Sequence, residues 1–270
     1  MVDSVRTLRR SVFLYRRSLG AVVRSVLEYT ADFWILIVAG IVTQSLGLVF
    51  LSVVMARVPQ INGWSYAEMV FIYALAGISS SIVPVVADGI WALAGLIHNG
   101  KLDYLLTRPY PPLLQVMSMW VGFNGVGDLV ASTVMLAWAL ASVAIAWSPG
   151  MVLAFVVLVL SGMALRIALA VASNAVSFWL KMPVPMFAMA LWQVGELARY
   201  PLGIYGLAMR VLLGVAIPFA FAGFIPAAWL LDRTGYAWLG VLAPLVAIAA
   251  WIAAVWIFRR GLRRYESAGH

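Results

Sequence analysis

Residues Met151–Leu180 read MVLAFVVLVLSGMALRIALAVASNAVSFWL, and Arg166 is the only charged residue in this stretch. About 20 apolar residues of α-helix cross the roughly 30 Å hydrocarbon core of a bilayer, so the stretch predicts a membrane-spanning helix. The rest of the chain has the same character, because 64% of its 270 residues are apolar and only 10% are charged. Soluble domains carry about 25% charged residues, so the composition predicts an integral membrane protein.

The spanning segments can be read from the apolar runs along the chain. Five runs are long enough to cross a bilayer: Phe33–Ala56, Tyr66–Ala94, Leu113–Ala146, Met151–Leu180 and Trp238–Phe258. Between the last two runs the pattern is weaker. The segment Pro185–Leu197 is short, and Pro218 and Pro226 interrupt the run Val211–Leu231. Counting both weak segments as spans would place the two chain ends on opposite sides of the membrane.

The basic residues predict an even number of spans. Lysine and arginine concentrate on the cytoplasmic side of membrane proteins, and arginines cluster both before the first run and after the last. Both ends are therefore expected in the cytoplasm, which gives six spans. Of the 18 basic residues, only Arg57, Arg199, Arg210 and Arg233 then lie outside, while Arg166 lies within a span. This placement explains the net charge of +8 without a nucleic-acid partner.

The region before the last span predicts a short helix followed by a hairpin. We assign residues 185–199 as span five and residues 204–233 as a re-entrant helical hairpin that enters from the outer face. Irregular backbone at membrane depth requires cover from protein or water, so the hairpin should line the bundle interior or a pathway. In the alternative, Val211–Leu231 is span five and Pro185–Leu197 lies on the surface. The predicted fold is an all-α membrane protein with six spans.

Residues 4–28 precede the first span and have helical periodicity. Apolar side chains fall within an arc of about 100° of a helix, with arginines grouped on another side. The apolar set is Val5, Leu8, Val12, Tyr15, Leu19, Val22, Val23 and Val26. This pattern predicts an interfacial helix on anionic lipid. The alternative is a basic flank that only sets the topology.

Few residues could carry catalysis. The chain has no cysteine, and its two histidines, His98 and His270, are far apart in sequence, so a metal or proton-relay site has little support. Gly95–Lys101 matches the first seven positions of the phosphate-binding loop G-x-x-x-x-G-K. However, Leu102 stands where that loop needs Ser or Thr for magnesium, so we reject nucleotide binding there. No Ser-His-Asp arrangement or carboxylate pair favours an enzyme.

Small and charged residues within the spans indicate how helices pack. Gly122, Gly125 and Gly127 predict close helix contact. An unpaired charge at a helix centre costs about 2.5–3.5 kcal/mol on insertion scales. Asp128 and Arg166 lie at similar predicted depth, so we predict that they pair across spans three and four. In the alternative, each faces water or polar backbone.

Two further carboxylates, Asp88 and Glu196, lie nearer the ends of predicted spans. They are expected at the interface.

Gly95–Pro112 is the loop between spans two and three, and residues 97–108 within it are the predicted helix. It mixes charged residues with leucines and ends at a run of prolines, Pro109, Pro111 and Pro112. This pattern predicts a short helix along the cytoplasmic surface, which could dock on a soluble partner or be a solvated connector.

Several strings in the chain resemble one family of transport proteins. The most specific is GKLDYLLTRP at Gly100–Pro109, and the others are NGWS at 62–65, YPLGIY at 200–205, Ile217–Pro218 and FIPA at 224–227. They resemble the ABC type-2 exporter permeases, in a branch with six spans. The resemblance covers nearly the whole chain. It implies an N-terminal interfacial helix, a coupling helix after span two and a re-entrant outer hairpin before span six.

The resemblance also implies a function. It implies a permease of a bacterial cytoplasmic membrane that forms a homodimer or pairs with a sister permease, and that exports a drug, lipid or glycoconjugate. Two separate ATPase subunits would bind ATP and magnesium, so no cofactor is expected in this chain. The residues implied at the ATPase contact are Lys101, Leu102, Asp103, Leu105, Leu106 and Arg108. An ion-coupled carrier is the alternative, although the chain shows one broken region and no internal repeat.

Overall fold

The structure, a computed structural model, describes residues 2–28, 30–58, 60–233 and 237–266. The chain is an all-α membrane protein, and no β-strand forms in these ranges. The α-helices are α1 (Val2–Leu27), α2 (Thr30–Arg57), α3 (Tyr66–Ala87), α4 (Leu93–His98), α5 (Leu102–Leu106), α6 (Pro112–Met117), α7 (Asn124–Ser142), α8 (Pro149–Ala175), α9 (Ser177–Leu180), α10 (Met186–Glu196), α11 (Leu207–Val211), α12 (Phe224–Leu230) and α13 (Ala243–Arg264).

Among the described residues, five helical stretches are long and apolar enough to cross a membrane. They are Thr30–Arg57, Tyr66–His98, Asn124–Ser142, Pro149–Leu180 and Trp238–Arg264. Each corresponds to one of the five apolar runs in the sequence, so the prediction of an all-α membrane protein is confirmed.

The predicted start of span three is wrong. The apolar run from Leu113 contains two helices, α6 and α7, separated by irregular backbone from residue 118 to residue 123. Within this break the N–H of Gly122 donates to the carbonyl oxygen of Pro84 at 2.8 Å. The chain therefore crosses α3 in a non-helical conformation, and the spanning helix begins only at Asn124.

Helix α3 stands at the centre of the bundle, and most of its residues are buried. It packs against both α7 and α8, while α7 also packs on α2 and α8 also packs on α13. The N-terminus of α3 is held by a capping box, in which Ser65 and Glu68 bond to each other's backbone N–H groups. Arg233 also pairs with Glu68 at 2.6 Å. The end of the predicted hairpin is therefore fixed to the start of α3.

Helices α2 and α7 approach until their backbones touch. A Cβ added at Gly127 would clash with the carbonyl oxygen of Ile37, and one added at Gly40 would clash with that of Asn124. Gly125 lies just as closely against α3. The prediction of close packing through these glycines is confirmed, because only glycine lets the backbones come so near.

Residues 204–233, the range predicted for the hairpin, form two limbs of short helical segments that meet at Ile217–Pro218. The first limb is α11, continued by a π-helical turn at Leu212–Ala216, and the second is a 3₁₀ turn at Phe219–Ala222 followed by α12. Gly203, just before the first limb, lies beside Asn62 in the loop between α2 and α3. Arg233 anchors the other end near the same loop. Pro218 lies between the two limbs and Pro226 lies within α12. A re-entrant hairpin that enters from the outer face stays a prediction.

The predicted fifth span is a short helix. Helix α10 has 11 residues, which is about 16 Å of helix, and a 3₁₀ turn at Leu197–Arg199 extends it. This length is less than the roughly 30 Å of a bilayer core. A sixth crossing therefore stays a prediction.

Residues 2–27 form the single helix α1, which covers the range predicted for the interfacial helix. The hydroxyl group of Tyr15 donates to the carbonyl oxygen of Val86 and so attaches α1 to α3. Within the predicted apolar set, Val12 is exposed, and the half-buried members are Tyr15, Leu19, Val22, Val23 and Val26. The side chains of Val5 and Leu8, together with His270, lie outside the described residues. Whether α1 rests on lipid stays a prediction.

The packing of α2 on α7 predicts that Gly127→Ala destabilises the chain by about 1–3 kcal/mol, because the added methyl group has no space. Gly150→Ala is the matched control, since a Cβ there would meet only the Ser148 hydroxyl, at 3.9 Å. The two variants would be compared by thermal unfolding in detergent. Equal midpoints would contradict the close packing.

The predicted topology can be tested by labelling, because the chain contains no native cysteine. Asp232 and Tyr104 are both exposed, at the hairpin end and in α5. In intact cells, we expect a membrane-impermeant maleimide to label Asp232→Cys at once and Tyr104→Cys only after permeabilisation. The reverse result would contradict the predicted orientation.

Candidate functional site

A buried polar network joins α8, α10 and the bundle around α3. At its centre Arg166 is only 1% exposed. Its Nη2 donates to the carbonyl oxygen of Gly195 at 3.3 Å and to Oε1 of Glu196 at 3.4 Å. The guanidinium also lies 5.0 Å from the ring centre of Phe219 and 5.3 Å from that of Trp192. One carboxylate and two aromatic rings thus surround a cation that lipid could not solvate.

Arg199 extends this network to the opposite side of the bundle. It pairs with Glu196 one turn away, so the carboxylate is shared between two guanidinium groups. Nη1 of Arg199 donates to Oε1 of Gln44 at 2.8 Å, and Nη2 donates to the hydroxyl of Ser80 at 3.3 Å. Gln44 in turn donates to the hydroxyl of Ser132 at 2.9 Å. The network therefore connects α10 with α2, α3 and α7.

The predicted pair of Asp128 and Arg166 does not form. Arg166 pairs with Glu196 instead, and the charges that act on Asp128 are those of Arg199 and Glu196. The prediction assumed that consecutive spans are neighbours, whereas α3 lies between α7 and α8. Matching depth along the two helices was therefore insufficient for contact.

The sequence analysis did not predict the partners of Glu196. It lies at the end of α10, is 31% exposed and is bonded to two arginines within the network, while its expected position at the membrane interface stays a prediction. Glu196 and Arg199 are three residues apart, a spacing that places them on one face of a helix. Together with Gln44, the only glutamine in the first apolar run, this spacing is the signal that could have indicated the network.

An apolar groove lies beside the tip of the hairpin. It has a volume of about 650 Å³ and is bounded by α8, α10, the hairpin and α13. Its lining includes Leu169, Phe187, Leu191 and Pro218. An aliphatic or aromatic group could bind there, next to the polar network.

Helix α5 and the turns around it form the second candidate site. Leu102 and Leu105 are buried in a cluster with α3, α4 and α6, while Leu106 is exposed. Lys101 and Arg108 are also exposed, and Asp103 is half-buried. The structure thus divides the predicted set into two leucines that anchor α5, the half-buried Asp103, and three residues in or beside the helix that are exposed to solvent.

Tyr104 is an exposed residue of α5 that the sequence analysis missed. It is 65% exposed, and the guanidinium of Arg108 lies 4.4 Å from the centre of its ring. On the other side, burial and the nearby carboxylate of Asp103 raise the pKa of Tyr265 to about 12. Helix α5 therefore has an exposed aromatic and basic surface and a contact with the end of α13.

The described residues contain no group of three or more His, Cys, Asp or Glu side chains that could hold a metal ion. Gly95 lies within α4, and Gly100 has a positive φ of 66° at the turn before α5. A helix rather than a strand thus leads into the segment that resembles a phosphate-binding loop.

The comparisons with known proteins identify the family. A family model described as "ABC-2 family transporter protein" matches residues 41–269. The chain belongs to this ABC-2 transporter family. No curated protein and no solved structure matches it.

Membership makes the chain a multi-pass membrane protein and a permease subunit of an ABC transporter, in a family that normally works with ATP-binding cassette subunits. Because the match begins at Ile41, α1 and the first part of α2 lie outside the region it covers.

The network predicts that Glu196→Gln destabilises this ABC-2 permease by about 3–5 kcal/mol, because Arg166 is left buried without a counter-charge. Arg166→Met should cost less, since Glu196 retains its pair with Arg199. The double variant should therefore recover part of the loss, as measured by thermal unfolding in detergent.

Asp128→Asn provides the control. Combined with Arg166→Met, it should show weaker coupling than Glu196→Gln does, because Arg166 makes an ion pair with Glu196 and the structure shows none between the described residues Asp128 and Arg166. Strong coupling of Arg166 to Asp128, and none to Glu196, would contradict the network.

Proposed function

We propose that the chain is the transmembrane permease of an ATP-driven exporter, and that α5 is the element through which separate ATPase subunits act on it. The proposal is supported mainly by one observation: in this chain of the ABC-2 family, one surface of α5 is exposed and the other is buried. ATP and magnesium would bind to the partner subunits. Both ends of the chain would lie on the cytoplasmic side of a bacterial inner membrane.

The exposed surface of α5 is suited to a protein partner. Tyr104 and Arg108 are of the residue types that contribute most to binding interfaces, and the exposed Leu106 adds apolar area beside them. Exposed apolar side chains at a loop outside the spans are costly in water. A cleft in an ATPase subunit would cover them.

The buried surface of α5 supplies a route into the spans. Leu102 and Leu105 belong to the same apolar cluster as Val83 in α3, Val116 in α6 and Phe178 in α9. Side chains packed this closely transmit displacement instead of absorbing it. Closure of the ATPase pair would therefore move α3 and α4 through α5, and the bundle would alternate between two states.

The substrate class is part of the proposal. The apolar groove beside the hairpin tip and the polar network next to it suit an amphiphilic molecule, in agreement with a drug, lipid or glycoconjugate. Transport would occur through a dimer, formed with a second copy or with a sister permease. An ion-coupled carrier has no comparable use for the exposed surface of α5.

The experiment uses the permease co-expressed with the soluble ATPase encoded beside it, if that chain has an intact G-x-x-x-x-G-K-[ST] loop. The variant Tyr104→Ala/Arg108→Glu should co-purify at least about tenfold less ATPase, because it removes the aromatic surface and reverses its charge. ATPase stimulation by amphiphiles, in a complex reconstituted in lipid, should fall in parallel.

Leu102→Ala is the matched comparison. It should lower thermal stability by about 2–5 kcal/mol, since it creates a cavity under α5 while leaving the exposed surface in place. Normal assembly and transport with Tyr104→Ala/Arg108→Glu would overturn the assignment of α5 as the ATPase contact.

A further inference from the structure

A second cavity, of about 450 Å³, lies between α1 and the segment from α4 to α6. Ser18 and Val22 of α1 form one side, and Lys101, Arg108, Tyr110 and Gln115 contribute to the other. The volume is within the range of small-molecule sites, about 300–1,000 Å³. The α1 side lies outside the residues that match the ABC-2 family.

Gln115 gives this cavity a specific hydrogen-bonding requirement. Its Nε2 donates to the carbonyl oxygens of Leu105 at 2.9 Å and Tyr110 at 2.6 Å, which determines the orientation of the amide. The side chain is only 5% exposed, yet no described residue donates a hydrogen bond to its Oε1. A buried acceptor without a donor costs roughly 1–3 kcal/mol, so a ligand with an O–H or N–H group would be favoured.

The charge of the cavity favours an anion. Lys101 and Arg108 line it, and none of its lining residues is acidic. Burial raises the pKa of Tyr110, and burial and Tyr110 together raise the pKa of neighbouring Tyr15 to about 12. Both phenols are therefore uncharged at neutral pH, and the two basic side chains determine the sign of the charge.

We propose that this cavity binds a phosphate ester that also carries a hydrogen-bond donor, as the headgroups of phosphatidylethanolamine and phosphatidylglycerol do. Lys101 and Arg108 hold the phosphate, and the ammonium or hydroxyl group of the ligand donates to Oε1 of Gln115. The predicted position of α1 at the membrane surface places the cavity at the depth of lipid headgroups. The bound headgroup touches both α1 and the base of α5.

The test measures lipid binding to the purified full chain in detergent by native mass spectrometry. Equal amounts of phosphatidylethanolamine, phosphatidylglycerol and phosphatidylcholine with the same acyl chains are offered together. The phosphocholine headgroup has the phosphate but no O–H or N–H group, so phosphatidylcholine should bind roughly fivefold less than the other two. Equal binding of all three lipids would overturn the role of Gln115.

A variant that fills the cavity shows whether this is the site. Ser18→Trp places an indole in the cavity from α1, and Ser25→Trp places one at an exposed position outside the cavity, about two turns further along the same helix. Only Ser18→Trp should reduce binding of the two donor-bearing lipids, by roughly tenfold. Equal losses from both variants, or none from either, would show that the lipids bind elsewhere.

Gln115→Met tests whether the lipid preference depends on the hydrogen bond to Gln115 or only on the shape of the cavity. It removes the Oε1 acceptor at similar volume and should abolish the preference over phosphatidylcholine, provided that size-exclusion chromatography shows a folded chain. A retained preference in the folded variant would overturn the proposal.

A competition experiment shows whether the cavity binds only lipid headgroups or also soluble phosphate esters. Competition by free glycerol 3-phosphate would show that soluble phosphate esters share the site. Failure to compete, with lipid binding still sensitive to Ser18→Trp, would show that only lipid binds. Lipid binding is read without ATP or transport, so its outcome is distinguishable from that of the α5 experiment.

Discussion

A guanidinium within a lipid-embedded bundle needs a counter-charge and full hydrogen bonding, because the surrounding hydrocarbon can supply neither. Arg166 obtains its counter-charge from Glu196, which α10 carries, and its Nη2 is hydrogen-bonded. Its Nε and Nη1 have no hydrogen-bond partner among the described residues, and the ring centre of Phe219 lies 5.0 Å from the guanidinium. Glu196 in turn holds Arg199, whose remaining donors reach Gln44 and Ser80. The irregular segment between α10 and α12 thus has a physical reason for its position, since it covers and completes the pairing of one buried charge.

Much of the fold could be predicted because length and composition decide it. A run of apolar residues long enough to cross a bilayer is stable in few conformations other than a membrane-spanning helix. The five long spans follow from that constraint. Prolines in a sixth run indicated the break between helical segments at Pro218, since proline removes a backbone donor and breaks a helix. Glycines in the third run correctly indicated close packing.

The parts that could not be predicted depend on which helices are neighbours. Asp128 and Arg166 were matched by depth, but depth does not show that α3 lies between their helices. The start of span three was missed because hydropathy continues through the break before Asn124, where one hydrogen bond to Pro84 holds the chain. In α5, the spacing of Leu102 and Leu105 showed a common face, but only the structure shows that this face is buried.

The contact of α2 with α7 through Gly40 and Gly127 has a mechanical consequence. With no side chains between their backbones, the two helices have no layer that can slide or repack, so they should move as one rigid body. Conformational change then has to be accommodated elsewhere. Arg199 links the α10 side of the bundle to α2 and α3 through its hydrogen bonds to Gln44 and Ser80, so these bonds would have to rearrange if that side moved relative to the α2–α7 pair.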